Sequence, residues 1–262
     1  MKLAVVQTNP IFGEVRKNID EAIALMKSVP ADFYVLPELF NTGYNFASKE
    51  EIERLAESIE GLTFTLLGAF AKQGECCIVY GFAECVGDIF YNSSALVGPT
   101  GLIGIYRKIN LYYRENIFFK PGNLGFPVFD TPFGKIGMMI CFDWLFPEAA
   151  RTLALQGAQL ISHPSNLVLP FCPDGMVTRC LENRVFAATA NRIGTEDRGG
   201  FKFSFIGKSE IVSPAGVILK RLPSNNTAIE VADVNLVEAL NKRLNEYNDI
   251  FEDRKKSIKT YK

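Results

Sequence analysis

GMMICFDWLFPEAARTLALQGAQLIS, residues 137–162, carries the pattern on which the fold turns. Its apolar start belongs to a run over residues 135–140 that reads as a buried strand. Pro147 suits the first position of a helix, where a missing N–H costs nothing. Ala150, Leu153, Ala154 and Ala158 then give that helix an apolar stripe, and residues 160–162 read as a further strand. Strand, helix and strand in one short stretch point to an α/β layered protein. Between the first strand and the helix stands Cys141, either a buried core thiol or a nucleophile.

The alternation continues outward. Residues 3–6 and 33–36 read as buried strands, and Ile19, Ala22, Ile23, Met26 and Val29 repeat at helical spacing until Pro30 ends the segment. Ser48 and Glu51 form a capping-box pattern ahead of Ile52, Leu55, Ala56 and Ile59, which would share one helical face. The middle of the chain changes character. Residues 76–84, 89–97 and 102–106 read as three consecutive strands, with turns at Gly87-Asp88 and Pro99-Thr100-Gly101. Residues 126–129 pair with 135–140 around residues 131–134. Helices are expected over residues 175–184 and from 234 to about 244, with strands and turns between them, and the tail from 252 to 262 is mostly charged. No internal repeat, low-complexity linker or domain boundary interrupts the pattern. The expectation is one domain over residues 1–262, with strands sandwiched by helices.

Composition narrows the class. At 262 residues, 48% apolar and 22% charged, the chain can bury a large core without staples. A net charge of −1 gives no electrostatic reason to expect nucleic acid or an anionic membrane as partner. The N-terminus lacks the pattern of a signal peptide, and no apolar run is long enough to span a bilayer. The six cysteines form no CxxC pair, and the one histidine cannot complete a zinc-finger pattern, so free thiols in a reducing cytoplasm are expected. FIGKS, residues 205–209, imitates the end of a phosphate-binding loop, but Lys202 stands where that loop needs its first glycine. His163 follows a strand and is weighted as a hydrogen-bonded structural residue.

Three segments place a reactive side chain just past an apolar strand: Glu38 in YVLPELF, Lys108 in GIYRKINL and Cys141 in MMICFDW. A carboxylate directly after an apolar strand is costly without a partner. A thiol attacks only as thiolate, and a carboxylate in a dry site can take its proton. An ammonium nearby would stabilise both the thiolate and the oxyanion formed at a carbonyl. Glu, Lys and Cys therefore suffice for acyl transfer without histidine. Taken singly, each has a bland reading as core thiol, capping acid or solvated strand end, and only the trio shifts the balance.

These residues resemble the nitrilase superfamily of carbon–nitrogen hydrolases. The similarity runs through AVVQTNP at Ala4, LPELFNTGY at Leu36, YRKINLYYRE at Tyr106, ICFDWLFPEAARTLALQGA at Ile140 and NDIFEDRK at Asn248, covering essentially the whole chain. The resemblance implies a four-layer αββα sandwich that pairs into a homodimer or larger homo-oligomer and uses no metal or organic cofactor. It implies Glu38 as general base, Lys108 as transition-state stabiliser, Cys141 as nucleophile and Glu115 as a second, positioning glutamate. The Phe142 N–H would share the oxyanion hole with Lys108. Many relatives carry a histidine two residues after this lysine, where Asn110 stands here. The stretch CFDWLFPEAAR is similar to the branch of N-carbamoylputrescine amidases and archaeal aliphatic nitrilases. A small aliphatic amide or carbamoyl compound is the expected substrate, with a small aliphatic nitrile as the alternative and a non-catalytic scaffold as the alternative of another class. Tyr44, Tyr113, Trp144, Phe171 and Cys172 are the expected pocket walls. Asp143 and Glu148 are expected to shape the turn and helix start, with Arg151 as their partner.

Overall fold

The computed structural model describes residues 1–258. Strand β1 (Lys2–Gln7), helix α1 (Val15–Ser28), strand β2 (Phe33–Val35) and helices α2 (Lys49–Leu55) and α3 (Leu62–Gly74) lead into a meander of β3 (Cys77–Val86), β4 (Ile89–Gly98) and β5 (Gly101–Arg107). A short helix α4 (Glu115–Phe118) and the hairpin β6 (Val128–Thr131) and β7 (Gly134–Met138) follow. A 3-10 turn over Cys141–Leu145 precedes α5 (Pro147–Leu155), β8 (Leu160–Ser165), α6 (Cys172–Asn183) and β9 (Phe186–Asn191). Next come the hairpin β10 (Ile193–Arg198) and β11 (Phe201–Ile206), then β12 (Glu210–Val212), β13 (Ile218–Arg221) and β14 (Ala228–Asp233). A 3-10 turn over Leu236–Leu240 and helix α7 (Ile250–Ile258) close the described chain.

Two six-stranded sheets form the centre, in the orders β14-β1-β2-β3-β4-β5 and β13-β12-β9-β8-β7-β6. Each holds three adjacent parallel strands, β1, β2 and β3 in one and β7, β8 and β9 in the other, flanked by antiparallel neighbours. The strands are apolar on both faces because both faces are covered. Leu3, Val5, Phe33, Val35 and Val79 join the core shared with the second sheet, whereas Ala4, Val6, Tyr34, Leu36 and Ile78 pack on Ile19, Ala22 and Met26 of α1 and Leu67 and Ala71 of α3. Helices α5 and α6 cover the far side of the second sheet. The layers are therefore helix, sheet, sheet, helix. No helix among the described residues is long and apolar enough to cross a membrane.

Three local expectations give way. Ser48 precedes α2, but no side-chain cap forms. Glu51 accepts from the Ala47 N–H at 2.8 Å and is held by Arg198, so the capping box does not close. Helix α2 stops at Leu55, with Ala56 already extended, and Ile59 lies in the connection to α3. Helix α3 escapes a period-based reading because Phe64, Leu66 and Phe70 lie half-buried beside the buried Leu67, which blurs its apolar stripe. The helix expected over 234–244 shrinks to the 3-10 turn. The side chains of Asn235 and Asn241 accept from the N–H groups of Val237 and Arg243 and compete with helix formation. The charged tail instead forms α7, started by Asp249, whose Oδ1 accepts from the N–H groups of Phe251 and Glu252.

Candidate active site

The functional side chains project from strand ends. Glu38 follows β2, Lys108 follows β5, and Cys141 lies three residues beyond the end of β7. Tight turns aim them inward. Leu39, Tyr113 and Cys141 adopt φ of +46°, +47° and +41°, a left-handed conformation costing roughly 1–2 kcal/mol for a residue with a Cβ. That three such residues stand at or beside this cluster places local strain at the site. Gly81 in β3 makes room for the Glu38 turn: a Cβ there would lie 2.5 Å from the Glu38 Cα and 2.9 Å from the Leu39 nitrogen.

Glu38, Lys108, Glu115 and Cys141 come together, all buried. The Lys108 Nζ donates to Glu38 Oε1 and to Glu115 Oε1, each at 2.7 Å. Asn92 Nδ2 donates to Glu38 Oε1 at 2.6 Å and to Glu115 Oε2 at 3.4 Å. The Tyr44 hydroxyl donates to Glu115 Oε1 at 2.8 Å, and the Tyr112 N–H to Glu115 Oε2 at 3.2 Å. Glu38 Oε2 is buried with no partner among the described residues. Burial alone would push the Lys108 ammonium toward neutrality, but Glu115 and Glu38 outweigh it and hold the lysine charged. Burial raises the Glu115 carboxyl above its ordinary range against the opposing pull of Lys108. Burial likewise raises the Cys141 thiol well above its ordinary value; Glu38 adds to this, while Lys108 and the Asn166 backbone N–H oppose it.

The nucleophile turn is held from below. Asp143 Oδ2 accepts from the Ile140 N–H at 2.9 Å and from the Tyr106 hydroxyl at 2.7 Å. Its Oδ1 accepts from the Asn110 N–H at 3.1 Å and side-chain Nδ2 at 2.8 Å, so Asn110 closes the hydrogen bonding after Lys108. Arg151 does not serve Asp143 or Glu148: its Nη2 donates to the Glu182 carbonyl at 2.9 Å, tying α5 to α6. His163 takes a structural place, with Nε2 2.9 Å from the Cys141 carbonyl and Nδ1 3.0 Å from the Thr189 hydroxyl. The hairpin β10–β11 clamps the loop carrying Tyr44. Glu196, paired with the buried Arg192, accepts from the Tyr44 N–H at 3.1 Å and the Asn45 N–H at 2.6 Å.

A small cavity of about 20 Å³ opens at Cys141, lined also by Tyr112, Phe142, Trp144, Asn166 and residues 167–169. Of the expected walls, Trp144 lines it. Tyr44 is buried and engaged with Glu115. Tyr113 and Phe171, 59% and 64% exposed, lie outside the lining, and Cys172 is buried away from it. Sequence reasoning missed Asn92 and Asn166. Asn166 follows the end of β8 and so obeys the strand-end rule that singled out the other three. Asn92 opens a buried polar run, Asn92-Ser93-Ser94, inside an otherwise apolar strand. Among the described residues no three His, Cys, Asp or Glu side chains cluster in a way that could hold a metal ion.

Comparison with known proteins gives concordant matches. Residues 2–242 match the family model described as Carbon-nitrogen hydrolase. The chain is 51% identical to a protein named nitrilase from Pyrococcus abyssi, over 97% of each chain. It is 33% identical to the N-carbamoylputrescine amidase of Solanum lycopersicum, over 88% of this chain and 85% of that one. It also superposes on the amidase from Nesterenkonia sp. AN1, solved as a glutamate-to-glutamine mutant after Michael addition of acrylamide at its active-site cysteine. That match has a TM-score of 0.77 and 26% identity, over 93% of this chain and 96% of that one.

Proposed function

The chain belongs to the carbon–nitrogen hydrolase family, and from that premise we propose that it cleaves a small aliphatic amide or carbamoyl compound, releasing ammonia through a thioester on Cys141. The observation that carries this reading is the division of labour within Glu38. Its Oε1 is fixed by Lys108 and Asn92, while its Oε2 is buried without a partner. An orphaned carboxylate oxygen beside a protonated thiol is a base in waiting.

Glu38 takes the thiol proton as Cys141 attacks the carbonyl carbon. Lys108 and the Phe142 N–H, one of the first N–H groups of the 3-10 turn and so without an acceptor within it, hold the oxygen that becomes negative. Lys108 is charged beforehand and fixed between two carboxylates, so little reorganisation accompanies the developing charge. Glu38 then protonates the leaving nitrogen, ammonia departs, and a water deprotonated by Glu38 releases the acid. Glu115, held by Tyr44 and the Tyr112 N–H, positions Lys108. The Trp144, Leu167, Val168 and Leu169 side chains lining the cavity at Cys141 favour a substrate with an apolar tail.

A small aliphatic nitrile is a second reading, favoured by the name of the Pyrococcus relative. The test is ammonia release across small amides, carbamoyl amines and nitriles, combined with mass spectrometry of the protein. Wild type quenched during turnover should carry an acyl adduct on Cys141, Glu38→Gln and Cys141→Ala should carry none, and undiminished turnover by Cys141→Ala would sink the mechanism. A reducing cytoplasm is the proposed location, which fits six free cysteines. A homodimer or larger homo-oligomer is the proposed assembly, supported by apolar side chains left exposed around α5 and α6.

A further inference from the structure

We propose that Asn92 is the positioning residue of the base: its side chain fixes the plane of the Glu38 carboxylate, so that Oε2 stays free for the Cys141 proton. The inference rests on the reading of Glu38 as base and adds the residue that keeps it one. Asn92 lies in β4 and is fully buried. Its Nδ2 donates to Glu38 Oε1 at 2.6 Å and reaches Glu115 Oε2 at 3.4 Å. Its Oδ1 is buried with no partner among the described residues. A buried amide that serves only the scaffold is satisfied at both ends. This one leaves its acceptor orphaned and directs its donor at two carboxylates of the site. Turned over, the amide would set Oδ1 against both carboxylates, so they fix its orientation.

The cluster needs such a donor. A single ammonium, Lys108, bonds both Glu38 and Glu115 at 2.7 Å. Glu115 has further donors in the Tyr44 hydroxyl and the Tyr112 N–H. Among the described residues Glu38 has only Lys108 and Asn92. A carboxylate turns about a broad terminal torsion. Held by one donor, it can turn until both oxygens share the ammonium, and no free base remains. Two donors on Oε1, one from β4 and one from the end of β5, stop that turn. The Asn92 carbonyl also accepts from the Lys108 N–H at 2.8 Å. Any residue supplies that backbone bond, so substitution at position 92 tests the side chain alone.

The experiment uses methyl methanethiosulfonate, a small neutral reagent without a carbonyl or nitrile. The reaction balances as R–SH + CH3SO2–S–CH3 → R–S–S–CH3 + CH3SO2H. Peptide mass spectrometry gives the labelling rate of Cys141 relative to the half-buried Cys85, the internal reference. A thiol reacts only after losing its proton, so this ratio reports on the base. Asn92→Leu and Asn92→Ala should each lower it about 100-fold, the cost of misplacing a catalytic group by near 1 Å. Glu38→Gln should lower it at least as far. Because Asn92 acts through Glu38, adding Asn92→Leu to Glu38→Gln should change the ratio by less than about twofold. An unchanged ratio in both Asn92 variants, or a further fall in the double variant, would overturn the proposal. Labelling of the buried Cys172 and Cys180 in both Asn92 variants would make Asn92 a structural residue and overturn it too. An undiminished ratio in Glu38→Gln, or a wild type in which Cys141 does not label, would instead strike the reading of Glu38 and Cys141 themselves, and this inference with it.

Discussion

Cys141 rests as a thiol. Burial is the largest reason, the Glu38 charge the next, and the opposition from Lys108 and the Asn166 N–H does not reverse it. Proton removal therefore belongs to the attack itself, which is why an unpartnered Glu38 oxygen matters more than a preformed thiolate. His163 stands behind the same cysteine. The Cys141 carbonyl can only accept, so Nε2 carries the hydrogen and Nδ1 accepts from Thr189. Burial is the main cause that lowers this imidazole to about 4. The sign follows directly. A base depressed in the folded state stays neutral there while the unfolded chain takes up a proton, so stability is lost as pH falls from about 6.5 toward 4. At roughly 1.4 kcal/mol per pH unit, the full loss is about 3 kcal/mol. The chain has a single histidine, so one set of imidazole NMR signals reports on it. Those signals should show the Nε2–H tautomer and no titration between pH 5.5 and 8 (a window chosen roughly from the ordinary histidine range). A midpoint near 6.5 would mean that His163 is solvated and does not hold the Cys141 carbonyl.

At the scale of elements, β3 decides where Glu38 sits. The Gly81 N–H donates to the Pro37 carbonyl at 3.1 Å, and its carbonyl accepts from the Phe40 N–H at 3.3 Å, so β3 is stitched to both sides of the glutamate. In Gly81→Ala the added carbon meets backbone, and the Glu38 turn must move. A displacement near 1 Å at a catalytic group costs about 100-fold in rate. Steady-state kinetics should show a fall of that size, with circular dichroism unchanged. Activity close to wild type would show that the turn absorbs the methyl. The same turn explains what the sequence offered. Glu38, Lys108 and Cys141 were legible because each follows an apolar strand directly. Asn92 was not, since it lies within β4 and becomes functional only when β5 and α4 bring Lys108 and Glu115 to it. Helix α2 shows the converse: Ser48 and Glu51 satisfy a local capping rule, yet Arg198, distant in sequence, takes Glu51. Tertiary partners overrule a local motif worth about 1 kcal/mol.

At the scale of the molecule, the two sheets divide the site between them. Glu38 and Lys108 come from the first sheet, and Cys141 and Asn166 from the second. The site is thus an interface between layers, closed by the buried core on one side and by the β10–β11 hairpin over the Tyr44 loop on the other. The outer helices of the second sheet look away from it. Leu145 and Phe146 precede α5 and Leu155 ends it, and Phe171 and Leu181 lie beside or in α6, each exposed while Leu153, Ala154, Met176 and Cys180 of the same helices are buried. Apolar side chains gathered around two neighbouring helices mark a surface that gains by being covered, and a second copy of the chain is the proposed cover. Light scattering on the purified protein should give at least twice the mass of one chain. In Leu155→Glu/Leu181→Glu, a carboxylate at each position would have to lose its hydration in the interface. The double variant should run at the mass of one chain with its circular dichroism intact, because both side chains already face solvent within the protomer. A wild-type mass of one chain would remove the assembly, and an undiminished oligomer in the double variant would move the interface off these two helices.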